Sequence, residues 1–155
     1  MKKRIFITFF VLLSFFSVQA TQYLVHNVDE FNTAMNNYVA GDEIILSEGT
    51  YNIGATKTIT KDLILKADPV AETKPVLAQI MFAFSTSDCS LQIKGLEIYW
   101  DLENAASPTA SRYLISSTAG AITISNLMLT DCTIHGYGRA LLRSDGSTVS
   151  TIQQL

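Results

Sequence analysis

Apolar residues fall into three successive patterns along this chain. Ile5 to Val18 form a run of fourteen residues interrupted by Thr8, Ser14 and Ser17, preceded by Lys2, Lys3 and Arg4. A membrane span needs about twenty apolar residues, whereas the apolar part of a secretory signal runs about 7–15 and ends at small residues. Val18-Gln19-Ala20 supplies Val18 at −3 and Ala20 at −1, so residues 1–20 read as a signal peptide cleaved after Ala20. No cysteine follows that bond to accept a lipid, and the processed chain, 21–155, is expected to leave the membrane. The alternative, an uncleaved anchor, is opposed by both the flanking charges and the cleavage pattern.

The second pattern is helical. After an extended stretch over Tyr23–His26, apolar residues recur at 28, 31, 34, 35, 38 and 39, which predicts a helix over Val28–Val39. Asn27 is its expected N-cap, with Glu30 completing a capping-box-like pair, and Ala40-Gly41 its expected stop.

From Gly41 onward the pattern is short strand-like runs between Gly, Asn, Ser, Thr and Asp: 43–46, 58–66, 91–100, 113–116 and 122–133. Two of these runs repeat. Leu91-Gln92-Ile93-Lys94-Gly95-Leu96-Glu97-Ile98 matches Ile122-Thr123-Ile124-Ser125-Asn126-Leu127-Met128-Leu129 at an offset of 31. A step of 28 back from Lys94-Gly95 reaches Lys66-Ala67, and 28 forward from Ile124 reaches Ile152-Gln153-Gln154-Leu155. Each block alternates, breaks for two residues, then alternates again, as a bent strand pair would. Gly95 and Asn126, at equivalent places in the break, are residue types that tolerate a left-handed backbone.

A strand-rich period near thirty residues implies a solenoid, in which each coil buries its apolar face only against its neighbours. Leu91, Ile93, Leu96 and Ile98, with Ile122, Ile124, Leu127 and Leu129, are the expected interior. An antiparallel sandwich would instead show hairpins at a spacing of about 8–12 residues. The expected fold class is therefore all-β, a parallel β-helix with a cap helix over 28–39 covering the first open strand edge and about three to four coils. Because the repeat stops at Leu155 inside a coil, the chain is expected to be the N-terminal part of a longer solenoid.

Charge narrows the partners. Loss of the leader removes Lys2, Lys3 and Arg4, leaving eight basic against fourteen acidic residues, a net charge of −6. That disfavours nucleic acid. Cys89 and Cys132 are too few for a disulfide-built fold and read first as small buried apolar residues, with a disulfide as the alternative.

The segment Gly41-Asp42-Glu43-Ile44-Ile45-Leu46-Ser47-Glu48-Gly49-Thr50-Tyr51, after a helix bearing Glu30, Phe31 and Ala34, resembles the entrance of secreted pectin-lyase-like β-helices, including chondroitinase-B-like polysaccharide lyases of family six. Leu91–Ile98 looks like their coil strands, and Gly138-Arg139-Ala140-Leu141-Leu142-Arg143 resembles a segment of related exported β-helix domains. The resemblance covers most of 23–155 and implies a right-handed parallel β-helix acting on or binding a polysaccharide, uronate-containing in the lyases. In lyases it implies β-elimination, with calcium as a frequent cofactor, a Lys base and a cation or Arg on the enolate-like charge. Those catalytic residues come from later coils, so none is assigned here. No cofactor is evident from the residues themselves.

Three residues are candidate glycan contacts. Arg139 and Arg143 lie four apart near His135 and Tyr137, and would share one strand face able to bind a uronate carboxylate, or else pair with Asp131 or Asp145. Trp100, beside Tyr99, Asp101 and Glu103, is either a sugar-stacking platform near a calcium-binding acid pair or, by the alternation from Leu96 and Ile98, a core residue. No zinc pattern, phosphate loop or basic helix is present, and His26 and His135 have no nucleophile at catalytic spacing. The alternatives to a lyase are a non-catalytic glycan-binding module and a structural surface module.

Overall fold

The computed structural model describes residues 20–101, 113–117, 121–138, 140–144 and 151–152. Residues 1–19, Glu103, Arg139, Asp145 and Gln153 to Leu155 lie outside them. Among the described residues the chain is mostly strand, and every strand pairing is parallel.

Strand β1 (Gln22–Val25) leads into helix α1 (Val28–Asn37). The helix begins where the sequence places its cap: Asn27 Oδ1 accepts from the Glu30 N–H at 2.9 Å, and Asn27 Nδ2 donates to Glu30 Oε1 at 2.8 Å. Glu30 Oε2 takes the N–H of His26 rather than that of Asn27 itself, so the box closes one residue early. The helix ends two residues before the expected Val39. Tyr38 is already extended, because the Val39 N–H is drawn to Asp42 Oδ2 at 2.8 Å. Phe31, Ala34, Met35 and Tyr38 are buried, while Val39 is exposed. This face packs against β1, β2 (Asp42–Leu46) and β3 (Thr50–Ile59). β1 and β3 each pair on one side only, and the helix packs over that end of the two sheets.

The remaining strands are β4 (Leu63–Ala67), β5 (Val76–Phe84), β6 (Cys89–Lys94), β7 (Glu97–Tyr99), β8 (Tyr113–Ser117), β9 (Thr123–Thr130), β10 (Thr133–His135), β11 (Ala140–Ser144) and β12 (Thr151–Ile152). They form two sheets that the chain visits in alternation. The first has the order β1-β2-β4-β6-β9-β12; in the second, β5 pairs with β3 on one side and with both β7 and β8 on the other, and β10 and β11 extend those two. The long strand β5 thus gives way to two short ones in the next pass, separated by residues 100–112. Strand β5 and most of β3 are not marked by the sequence pattern. β5 is a nearly continuous apolar run, as a strand flanked on both sides requires, and lacks the alternation that signals a half-exposed one.

Inward side chains form columns. Tyr23, Ile44, Leu65, Ile93 and Leu129 are in register across five strands, and beside them Asp42, Leu63, Leu91 and Leu127 across four. The expected interior residues Leu91, Ile93, Leu96, Ile98, Ile122, Ile124 and Leu127 are buried, and Leu129 packs partly buried against them. Each fully buried aliphatic side chain is worth about 1.5–3 kcal/mol relative to exposure.

The 28-residue steps are true pairings, Lys66 with Lys94 and Ile124 with Ile152. The 31-residue match is not. Leu91 stacks on Leu127, 36 positions on, and Ile98 on Ile134. The left-handed residue equivalent to Gly95 (φ +73°) is accordingly Asp131 (φ +52°). Asn126 instead follows a bulge, because Cys89 pairs with Ile124 but Ser90 with Asn126. The two-residue break that bends the chain at Gly95 therefore only shifts the phase of alternation inside β9, which restores Leu127 to the interior. Both cysteines are free: Cys89 is buried, with burial pushing its thiol pKa up, and Cys132 is half-buried with Sγ near the Ile93 carbonyl at 3.4 Å.

Removing the cap acceptor by Asn27→Ala should cost about 1 kcal/mol, seen as a melting midpoint several degrees lower, while Asn27→Ser should recover most of it. Asp42 is buried, and the Val39 N–H above all, with that of Thr21, holds its carboxyl below the usual range. The stabilisation it gives is complete above about pH 4 and is lost as pH falls through its depressed folded value. Unfolding followed against pH should show this acid limb, and Asp42→Asn should flatten it.

Candidate functional site

In the second sheet, β7 and β10 turn one side towards solvent. In β7 and β10, Ile98 and Ile134 are in register and face the core, so Glu97, Tyr99, Thr133 and His135 face out. Pairing places Tyr99 beside His135, and their rings stack with centroids 5.4 Å apart and planes 13° from parallel. His135 Nε2 lies 3.0 Å from Glu97 Oε1. With side chains 53% and 38% exposed, this pair is accessible to a ligand and contributes little to stability.

The stacked pair borders a groove of about 390 Å³ lined by Ile134, His135, Gly136, Tyr137, Ala140 and Leu141. Its floor is held by the corner after β7. The Trp100 N–H donates to the His135 carbonyl at 3.2 Å, and the Trp100 ring tilts against Tyr137 at 6.3 Å. The Tyr137 hydroxyl donates to the Ile80 carbonyl at 2.6 Å, and burial pushes its pKa well up. Gln79, itself left-handed at φ +57°, donates from Nε2 to the Asp101 carbonyl at 3.1 Å. Gly136 (φ +77°) passes so close to Trp100 that a Cβ would run into its carbonyl oxygen.

Trp100 is 7% exposed and packs at this corner, so the core reading describes it and the outward aromatic is its neighbour Tyr99. Arg143 is exposed on β11, two residues beyond the groove residue Leu141, with Cζ 4.7 Å from the centre of the Tyr113 ring. Asp131 is paired with Lys74 at 2.8 Å. Arg139 lies outside the described residues, so its place relative to Arg143 is not described. Among the described residues no three His, Cys, Asp or Glu side chains converge.

A second cleft of about 310 Å³ lies at the corner after β4 and β6, with two lysines, Lys66 and Lys94, facing two aspartates, Asp68 and Asp131, on its walls. Lys66 is bound to Glu43 at 2.6 Å, and Lys94 is exposed with no ion pair among the described residues. The 28-residue step already aligned these two lysines. The Glu97–His135 pair, 38 residues apart, could not be read in that way, since it joins strands offset by 36 residues where the self-match suggests 31.

Gly136→Ala should destabilise the protein by on the order of 2 kcal/mol, through left-handed strain and the displaced Trp100 carbonyl. Melting and near-ultraviolet circular dichroism of Trp100 should both report the disturbed corner.

Comparison of the chain with family models, with curated proteins and with solved structures finds no match.

Proposed function

We propose that this chain is the helix-capped end of an exported right-handed parallel β-helix, and that the outer face of its second sheet binds polysaccharide. Alternation between two wholly parallel sheets supports the solenoid, and the near-universal right-handedness of crossovers between parallel strands supports its hand. The leader pattern of residues 1–20 supports export.

The observation that carries the binding reading is the stack of half-buried Tyr99 on exposed His135, beside Glu97 and the groove. Flat rings receive the apolar face of a sugar, and a carboxylate with an imidazole accepts and donates to its hydroxyls. Among the described residues Arg143 and Lys94 are exposed cations of the kind that pair with a uronate carboxylate, Arg143 as a planar fork. At a processed net charge of −6 such local cations have to overcome overall repulsion, so uronate binding strengthens with moderate salt if repulsion dominates and weakens if the cations do.

Elimination rather than simple binding is the second reading, favoured by His135. Glu97 orients its ring through Nε2, and an oriented imidazole can act as a general base. In this reading β-elimination moves the proton α to the uronate carboxylate onto His135, and the electron pair of that C–H bond forms the new C=C bond. The glycosidic C–O bond breaks towards oxygen, which takes a proton from water to become a hydroxyl, leaving an unsaturated uronyl end while His135 returns its proton to solvent.

Affinity electrophoresis of the exported protein in gels containing alginate, chondroitin, pectin or a neutral glucan tests the first reading. Retardation should occur, and Tyr99→Ala and His135→Ala should each weaken it about fivefold, the scale of one lost aromatic contact. Unchanged retardation in both variants would move the site elsewhere. Absorbance of unsaturated ends that rises with the parent and not with His135→Ala would select the lyase.

A further inference from the structure

The column Asp42–Leu63–Leu91–Leu127 is leucine in three passes and a carboxylate in the first. Asp42 is fully buried at that end of the core. A buried carboxylate is costly without compensating partners. Its two oxygens are spoken for by backbone: Oδ1 accepts from the Thr21 N–H at 2.7 Å and Oδ2 from the Val39 N–H at 2.8 Å. Tyr23 adds a side-chain hydrogen bond, and the charge of Lys61 also favours the ionised carboxylate. Neighbouring Glu43 is engaged instead with Lys66 and Gln22.

Thr21 is the residue that follows the expected cleavage bond. Ala20 and Thr21 are exposed, and Thr21 is pinned by its other end, since its carbonyl accepts from the Glu43 N–H at 2.9 Å. We propose that signal cleavage after Ala20 converts the Thr21–Asp42 hydrogen bond into an ion pair, with the new α-ammonium of Thr21 docked on the buried Asp42 carboxylate as the lock of the capped end. The inference rests on the export reading above.

Peptide hydrolysis consumes one water. The water's hydroxyl closes the Ala20 carboxyl and its hydrogen goes to the Thr21 nitrogen. The new acid then releases its proton and an equivalent proton completes the ammonium. The nitrogen need not move to gain this role, because 2.7 Å is already the separation of a charge-assisted bond. Before cleavage the same position holds one N–H and no charge. Processing therefore adds a full positive charge against a carboxylate that no leucine column would otherwise contain, and it ties β1, the edge strand under the helix, to β2.

The test begins with the exported protein, whose intact mass and N-terminal sequence should give Thr21 as the first residue; another start would overturn the processing step itself. Chains beginning at Thr21 or retaining Ala20, released from a cleavable fusion, are then compared with and without Asp42→Asn. The Thr21 chain should melt on the order of 5 °C above the Ala20 chain, and the difference should vanish in Asp42→Asn. Equal midpoints, or a difference that survives Asp42→Asn, would sink the proposal. Should Asp42→Asn not fold, cyanate provides an independent reading, because it modifies free amines and spares an ion-paired ammonium. At pH 7 the α-amine of Thr21 should react at least about tenfold more slowly than that of the Ala20 chain, whose ordinary pKa is about 8; equal rates would overturn the lock.

Discussion

Each strand past the first pass is held by inward side chains that stack in register on the strand laid down one pass earlier. Leu63 reaches its buried state between Asp42 and Leu91, and Leu91 between Leu63 and Leu127. Because successive residues face opposite sides, a slip of one position would turn a whole column into solvent. The irregular features answer to that constraint. The bulge in β9 restores Leu127 to its column after Ile124, and the left-handed Gly95 and Asp131 turn successive passes at the same corner. The shift in β3 pairing between Asn52 and Ala55, opposite left-handed Gln79, lets Leu77 and Ile80 both face inward in one strand.

A stack of this kind needs an end, and the first pass is built differently from the others. Helix α1 lays Phe31, Ala34 and Met35 over the columns, with the Phe31 ring 6.5 Å from that of Tyr51. Polar groups then close the margins: Lys57 reaches Asn32 on the helix at 2.6 Å, and Lys61 reaches the Tyr38 carbonyl at 2.9 Å. The Tyr51 hydroxyl donates to the Val25 carbonyl at 2.8 Å. Desolvation lowers the Lys57 pKa and raises that of Tyr51, a measure of how far this polar seam is drawn out of water. Asp42 belongs to the same seam, as the one charged member of an otherwise leucine column.

The outer face follows from the same stacking. Once Ile98 and Ile134 are fixed inward, Tyr99 and His135 must lie side by side outside, about one strand spacing apart, and Glu97 comes within reach of the imidazole. The division of the second sheet into β7 with β8, and then β10 with β11, opens the groove next to them. Core and candidate site thus share one register, and a shift in it would separate Tyr99 from His135.

The sequence by itself determined the local elements and the sidedness of the strands. The Asn27–Glu30 cap, the apolar face of the helix, the inward residues from Leu91 to Ile98 and the pairing of Lys66 with Lys94 were all legible, because each depends on spacing within an element or on an uninterrupted step between similar strands. Tertiary structure alone decided which strands meet across the longer step. Alternation looks the same after any shift of two, so the match of Leu91 to Ile122 could not compete with the true partner Leu127, whose distance is set by residues 100–112 and by the bulge. For that reason Gly95 pairs with Asp131 rather than Asn126 at the corner, Trp100 is packed while Tyr99 is presented, and the Glu97–His135 contact emerges only when the passes are stacked.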